Sequence, residues 1–312
     1  MPDDGKLQFG ICIPQLFPEG SVDLEAISSY MQKIRSLGYT SAWVQDGVIG
    51  SRPSLDPLPL LAYVAPFSGD LTLGVSVLLA NLRIPIPVAK SVATLDHLTG
   101  GRLILGIGMG FYEGAYPAFG LDVKRRVSRF EEGIQVMKAL WSDGKASFQG
   151  KHFHLNDVAM NPKPVQKPHP PLWFGAHSAP ALRRSVVYGD GWMSAGAAST
   201  ADFKDEIKLV RQFMEEERRD PSAFKLSKRV YLYVDKDRDT AEKSLREWSA
   251  IIYQDPDRLP RTAVYGGVQD CVDGLGEVVE EGIDLLMCNP VGDLPAQAEV
   301  LARDVLPKLG FP

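Results

Sequence analysis

Cysteine is scarce in this 312-residue chain, and Cys12, Cys271 and Cys288 are an odd, widely spaced trio. That spacing excludes a disulfide framework and offers no zinc-ligand pair, so the three read as buried thiols in a reducing compartment. No run approaches the roughly 18 uncharged apolar residues of a membrane span. Met1-Pro2-Asp3-Asp4-Gly5 lacks the basic region and apolar core of an export signal. A cytoplasmic protein without a membrane partner is expected. A basic stripe is missing too: charges of both signs are interspersed and sum to -5, which argues against nucleic acid. The chain has no G-x-S-x-G elbow, H-E-x-x-H helix or G-x-x-x-x-G-K-[ST] loop, which removes the best support for serine hydrolases, zincins and P-loop enzymes.

What is present is a regular alternation. With 45% hydrophobic and 23% charged residues the chain can build a sizeable core. Residues 7–13 form a short apolar run, and a helical pattern then opens at Ser21 and stops at Gly38. The unit recurs as strand and helix at 41–46 and 57–67, 71–79 and 85–98, and 103–108 and 125–141. It continues at 172–175 and 179–188, 191–194 and 201–219, and 229–234 and 241–253. A further helix over 268–281 precedes the eighth strand, 283–288, and the helix 296–309. Eight strands alternating with helices predict an α/β fold, a single (β/α)₈ TIM barrel over residues 1–312. Two insertions break the rhythm: 147–171, with a hairpin-like start and five prolines, follows helix four, and 254–267 precedes strand eight as an irregular candidate lid.

Barrel enzymes carry their chemistry at the C-terminal ends of strands. The candidates are therefore Gln15, Asp46, Ser76, Val77, Asn81, Met109, Gly110, Tyr112, Glu113, Gly175, Ala176, His177, Ser178 and Asn289. Asp46 and Glu113 are the acid/base candidates: Asp46 could instead satisfy loop amides, but its position at the end of strand two favours function, while Glu113 is equally a solvated loop carboxylate. Gly106, Gly108 and Gly110 either admit a ligand close to the backbone or relieve crowding inside the barrel. Gly175 to Ser178 opens a helix and suits a phosphate, unless Ser178 is only a cap. His152 and His154 lack the further ligands of a metal site, so no metal is expected.

The order Leu73-Gly74-Val75-Ser76-Val77, Arg83-Ile84-Pro85, Val88-Ala89-Lys90, then 94–103 and Leu105-Gly106-Ile107-Gly108 resembles the luciferase-like monooxygenase superfamily. Arg129-Phe130-Glu131-Glu132, Gly175 to Ser178 and Gly189-Asp190-Gly191-Trp192 look like its later signatures. The resemblance implies reduced FMN or the deazaflavin coenzyme F420 as cofactor. It also implies a non-proline cis peptide at Ser76-Val77. Cofactor contacts are implied at Asp46, Ser76, Val77, Met109, Gly110 and Gly175 to Ser178, the last group at the phosphate. Gln15, Asn81 and Tyr112 fall on the substrate side. Trp43-Val44-Gln45-Asp46 is more similar to the F420 branch. Gly47 and Phe111 stand where relatives have a histidine and a glutamate, so that acid/base pair does not carry over. The leading expectation is hydride exchange between F420 and a small organic substrate held under the two insertions. The alternatives are an FMNH₂-dependent monooxygenase fed by a separate reductase, and a non-catalytic flavin-binding protein. Relatives imply a homodimer.

Overall fold

The computed structural model describes residues 6–18, 20–49, 53–110 and 115–311. Its strands are β1 (Gln8–Cys12), β2 (Ser41–Val44), β3 (Thr72–Leu79), β4 (Leu103–Gly108), β5 (Lys145–Gln149), β6 (His154–Ala159), β7 (Leu172–Gly175), β8 (Gly191–Ser194), β9 (Lys225–Val234), β10 (Val264–Gly266) and β11 (Leu285–Pro290). Eight of them pair in parallel in the order β1-β2-β3-β4-β7-β8-β9-β11, and the β11–β1 pairing closes the ring. Parallel strands need crossover helices, and the helices between them supply the outer layer. The expected TIM barrel is what the chain forms.

Local chemistry sets the helix starts. Asp23 accepts from Ala26 N–H and opens Leu24–Ser36, three residues later than the expected Ser21, because the aspartate is the better-placed cap. Asp56 caps Pro57–Val64, and Ser199 with Asp202 forms a capping box on Thr200–Glu216. Asp237 starts Arg238–Tyr253 before the expected Ala241. The last helix is broken into Leu294–Val300, a π turn over Leu301–Val305 and a 3₁₀ turn over Leu306–Leu309, where Pro307 removes a donor from the ladder. β9 starts at Lys225 rather than Arg229, since its cations disguise a buried strand.

Two cores result. Aliphatic side chains fill the layer between strands and helices. A second cluster of Trp43, Ile104, Trp173, Met193, Leu285 and Met287 plugs the barrel. Trp43 and Trp173 stack with centroids 5.8 Å apart although β2 and β7 are not sheet neighbours, so they meet across the interior. All three cysteines are buried, and burial pushes the Cys12 and Cys271 thiols up to about 12, which leaves them unreactive.

The first insertion opens with the expected hairpin. β5 and β6 form an antiparallel hairpin whose tip donates the Lys151, His152 and Phe153 N–H groups to Glu132 on the outer helix Arg126–Trp141. The return segment is tied to helix Pro85–Leu98: Asp96 accepts from the Gln166 backbone and side chain, and His97 meets the Lys163 carbonyl. This insertion therefore braces two outer helices, with Phe153 of its hairpin beside Asn81 and Arg83 after β3. The second is not irregular. Arg258–Thr262 is a short helix, and β10 adds a parallel strand to Leu232–Val234, the part of β9 that extends beyond its pairing with β8.

Candidate active site at the barrel mouth

Asp46 follows β2 and is buried, with a side chain only 1% exposed. Its carboxylate accepts from Leu79 N–H at 2.9 Å and from the Arg83 guanidinium at 3.0 Å, and Arg83 also reaches Asp56 at 2.7 Å. Burial pushes the Asp46 carboxyl above its usual range, while Arg83 pulls against that shift. These bonds use both oxygens to fix the chain leaving β3. Asp46 thus braces the start of the loop after β3 from the wall of the mouth.

The Ser76–Val77 peptide is cis, as the resemblance implies, and β3 shifts register against β4 between Val75 and Leu78. Val77 consequently lies over the bare backbones of its neighbours. A Cβ on Gly108 would stand 2.8 Å from Val77 Cγ2, and one on Gly175 would stand 3.1 Å from both its methyls. Gly106 and Gly108 of β4 make room for β3, as the packing reading of that motif has it. Ser76 presents its carbonyl and hydroxyl to Arg229, whose Nη1 donates to them at 2.6 and 3.1 Å.

Arg229 is the residue that local pattern did not single out. Lys228 lies opposite Ser194, the last residue of β8, so Arg229 stands at the rim. It is 9% exposed, its Nε is sealed without a partner, and it has no ion pair among the described residues. The signal was available as a charge inside an apolar strand, but sequence does not reveal which way it points.

Ala176 accepts from Trp192 Nε1, His177 Nδ1 meets Glu206 at 2.8 Å, and Ser194 Oγ donates to the other Glu206 oxygen at 2.9 Å. Ser178 is the N-cap of Ala179–Tyr188 yet makes no side-chain cap bond, which leaves its hydroxyl and the first turn open to a ligand. Lys228 of β9 is buried with Nζ on the Ala195 and Ala198 carbonyls, at 2.5 and 2.8 Å. Burial pushes its ammonium down to about 7, against an opposing pull from Glu206. Between about pH 7 and its ordinary pKa near 10.5, the unfolded chain holds a proton that folded Lys228 lacks. Stability should therefore rise with pH through that window, by up to about 1.4 kcal/mol per pH unit. Below it both states are protonated and the slope ends. Thermal unfolding of Lys228→Met should lack the rise, and parallel slopes for the two proteins would refute this assignment.

The remaining candidates separate. Met109 accepts from Tyr116 Oη at 2.8 Å and Gly110 turns the chain at φ 73°. Tyr112 and Glu113, with Phe111, lie outside the described residues. Asn81 is buried and donates to Tyr116 Oη and the Arg126 carbonyl, so it fastens a loop and does not line the mouth cleft. Gln15 clamps Gln45, donating to its carbonyl at 2.5 Å and accepting from its N–H at 2.7 Å. Gln15 and Asp46 border an open cleft between the ends of β1, β2 and β11, walled by Trp248 and Ile252 of helix Arg238–Tyr253. His152 and His154 bond separately, to Ser128 and Gln149. Among the described residues no helix is long and apolar enough to cross a membrane.

The family model described as luciferase-like monooxygenase matches residues 7–266. A phthiodiolone/phenolphthiodiolone dimycocerosates ketoreductase of Mycobacterium kansasii is 35% identical over 187 residues, 59% of this chain and 50% of that protein. The Mycobacterium tuberculosis protein of that name is 33% identical over 56% of this chain and 46% of its own length. The chain thus spans about half the length of these curated relatives. Among solved structures, an F420-dependent secondary alcohol dehydrogenase superposes with a TM-score of 0.84 at 20% identity, covering 97% of this chain and 99% of the other. A long-chain alkane monooxygenase superposes at 0.81 and 17% identity, covering 98% and 91%. At such identities these structures share the fold.

Proposed function

This chain belongs to the luciferase-like monooxygenase family, and from that membership we propose that it exchanges hydride between coenzyme F420 and a small organic substrate at the barrel mouth. It is an oxidoreductase of that family. The observation that carries the proposal is the arrangement around Ser76–Val77: a cation, Arg229, with no carboxylate partner among the described residues, on Ser76, and Gly175, which leads to the open helix start at Ser178, against Val77. A flat cofactor with an electron-rich ring edge and a phosphate tail fits both, because the cation needs a counter-charge and the helix start favours an anion. When bound, the deazaflavin supplies the hydride. Arg229 would hold the ring edge, Gly175 to Ser178 the phosphate, and Trp248 with Ile252 would keep water from the substrate. The Trp43-Val44-Gln45-Asp46 segment favours F420 over FMN, and the mycobacterial relatives named as ketoreductases support a carbonyl substrate.

The test is titration of the purified chain with F420 and FMN, each oxidised and reduced. F420 should bind and FMN should not. FMNH₂ binding with oxygen consumption and no F420 affinity would replace this reading with a two-component monooxygenase served by a separate reductase. Ser178→Glu should weaken the preferred cofactor by about tenfold or more by setting a carboxylate beside its phosphate, with unfolding unchanged. Unaltered affinity would move the phosphate elsewhere.

A further inference from the structure

The mouth cleft is lined by a residue whose hydrogen-bond donor has no acceptor among the described residues. Tyr253 Oη donates to Tyr231 Oη at 3.3 Å, Tyr231 Oη to Gln45 Oε1 at 3.2 Å, and Gln45 Nε2 to Asn289 Oδ1 at 2.8 Å. Each bond sets the next. A phenol that donates to Gln45 makes that oxygen the acceptor, turns the Gln45 amide nitrogen toward Asn289, and requires Asn289 to answer with its own oxygen. Asn289 Nδ2 is left over. It makes no hydrogen bond with a described residue and is not fully sealed, and Asn289 lines the cleft. Ser54 borders the same cleft, and its hydroxyl is sealed without a partner.

The surroundings define what meets this donor. Ile13, Leu16, Trp248, Ile252, Val291 and Leu294 are apolar walls. Among the described residues the one charged wall residue is Asp46, already answered by Arg83. A charged ligand would lose hydration and gain no counter-ion from the described walls. An acceptor oxygen on an aliphatic frame gains both burial and the free amide.

We propose that Asn289 Nδ2 holds the oxygen of an uncharged aliphatic ketone, or of the matching secondary alcohol, making Asn289 a specificity-determining residue for the substrate. What then happens to that oxygen rests on the oxidoreductase reading above; its binding does not. Trp43 and Trp248 border the cleft, so intrinsic fluorescence of the full chain, without cofactor, reports occupancy. Titration with 2-heptanone should saturate. Asn289→Leu should weaken it roughly tenfold and leave 1-heptene, which has no oxygen, bound as before. Asn289→Asp should weaken the ketone further by facing it with a second acceptor. Tyr231→Phe keeps the walls but frees Gln45 to turn over, and should cost about threefold for the ketone only. The proposal is overturned if Asn289→Leu binds the ketone like the unaltered chain, or if ketone and alkene weaken together. Failure of F420 and FMN to bind would remove the cofactor reading and leave this ketone result standing.

Discussion

Gly106→Ala should destabilise the protein by about 3 kcal/mol or more, measured by urea unfolding. The added Cβ would stand 2.1 Å from the Val75 carbonyl oxygen and 3.2 Å from Val77 Cγ1. Val77 can turn, but Val75 cannot, because its backbone is part of the β3–β4 ladder at the point where that register shifts. Relief would require separating two strands inside a closed ring, which propagates to every neighbour. Gly133→Ala is the matched control. Its Cβ would make ordinary contact with Pro85 at 3.8 Å from within a helix, so it should be neutral or stabilising by up to about 1 kcal/mol. Equal stability of Gly106→Ala and the unaltered protein would mean that the strands are not this close.

Arg229→Met should separate binding from stability. The guanidinium is buried without a counter-charge, a costly state, but it also satisfies the Ser76 carbonyl. Replacement relieves the charge and strands the carbonyl. These terms oppose each other, and stability of the free protein should change by less than about 1 kcal/mol. Cofactor affinity has no such offset. Loss of a charge-assisted contact should raise the dissociation constant of the reduced cofactor by about tenfold to a hundredfold, read by fluorescence titration. A variant that binds as before would show that this cation faces something else, while a variant that fails to fold would show that its role is structural.

The barrel was legible because its elements announce themselves locally. Prolines at 57 and 85 and short apolar runs mark starts and stops at fixed offsets, and the strand from Leu103 and the helix from Pro85 fall where the pattern puts them. The site was legible only by position. Asp46, Ser76 and Ser178 are at strand ends as expected, but what each does depends on partners far along the chain, such as Arg229 for Ser76 at a separation of 153 residues. No local spacing encodes that contact. The segment 94–103 shows the converse: it is the most recognisable stretch of the chain, yet Asp96, with Thr99 and Arg102 nearby, binds the first insertion and the start of the barrel, away from the mouth.

The stacked Trp43 and Trp173 give the barrel an optical label of its own. The two indoles come from strands that adjoin only across the lumen, so their coupling exists when the cylinder is shut. Near-ultraviolet dichroism therefore follows ring closure, while far-ultraviolet dichroism follows the surrounding helices. Agreement or divergence of the two signals during unfolding separates a barrel that opens as one unit from one that first loosens its outer layer.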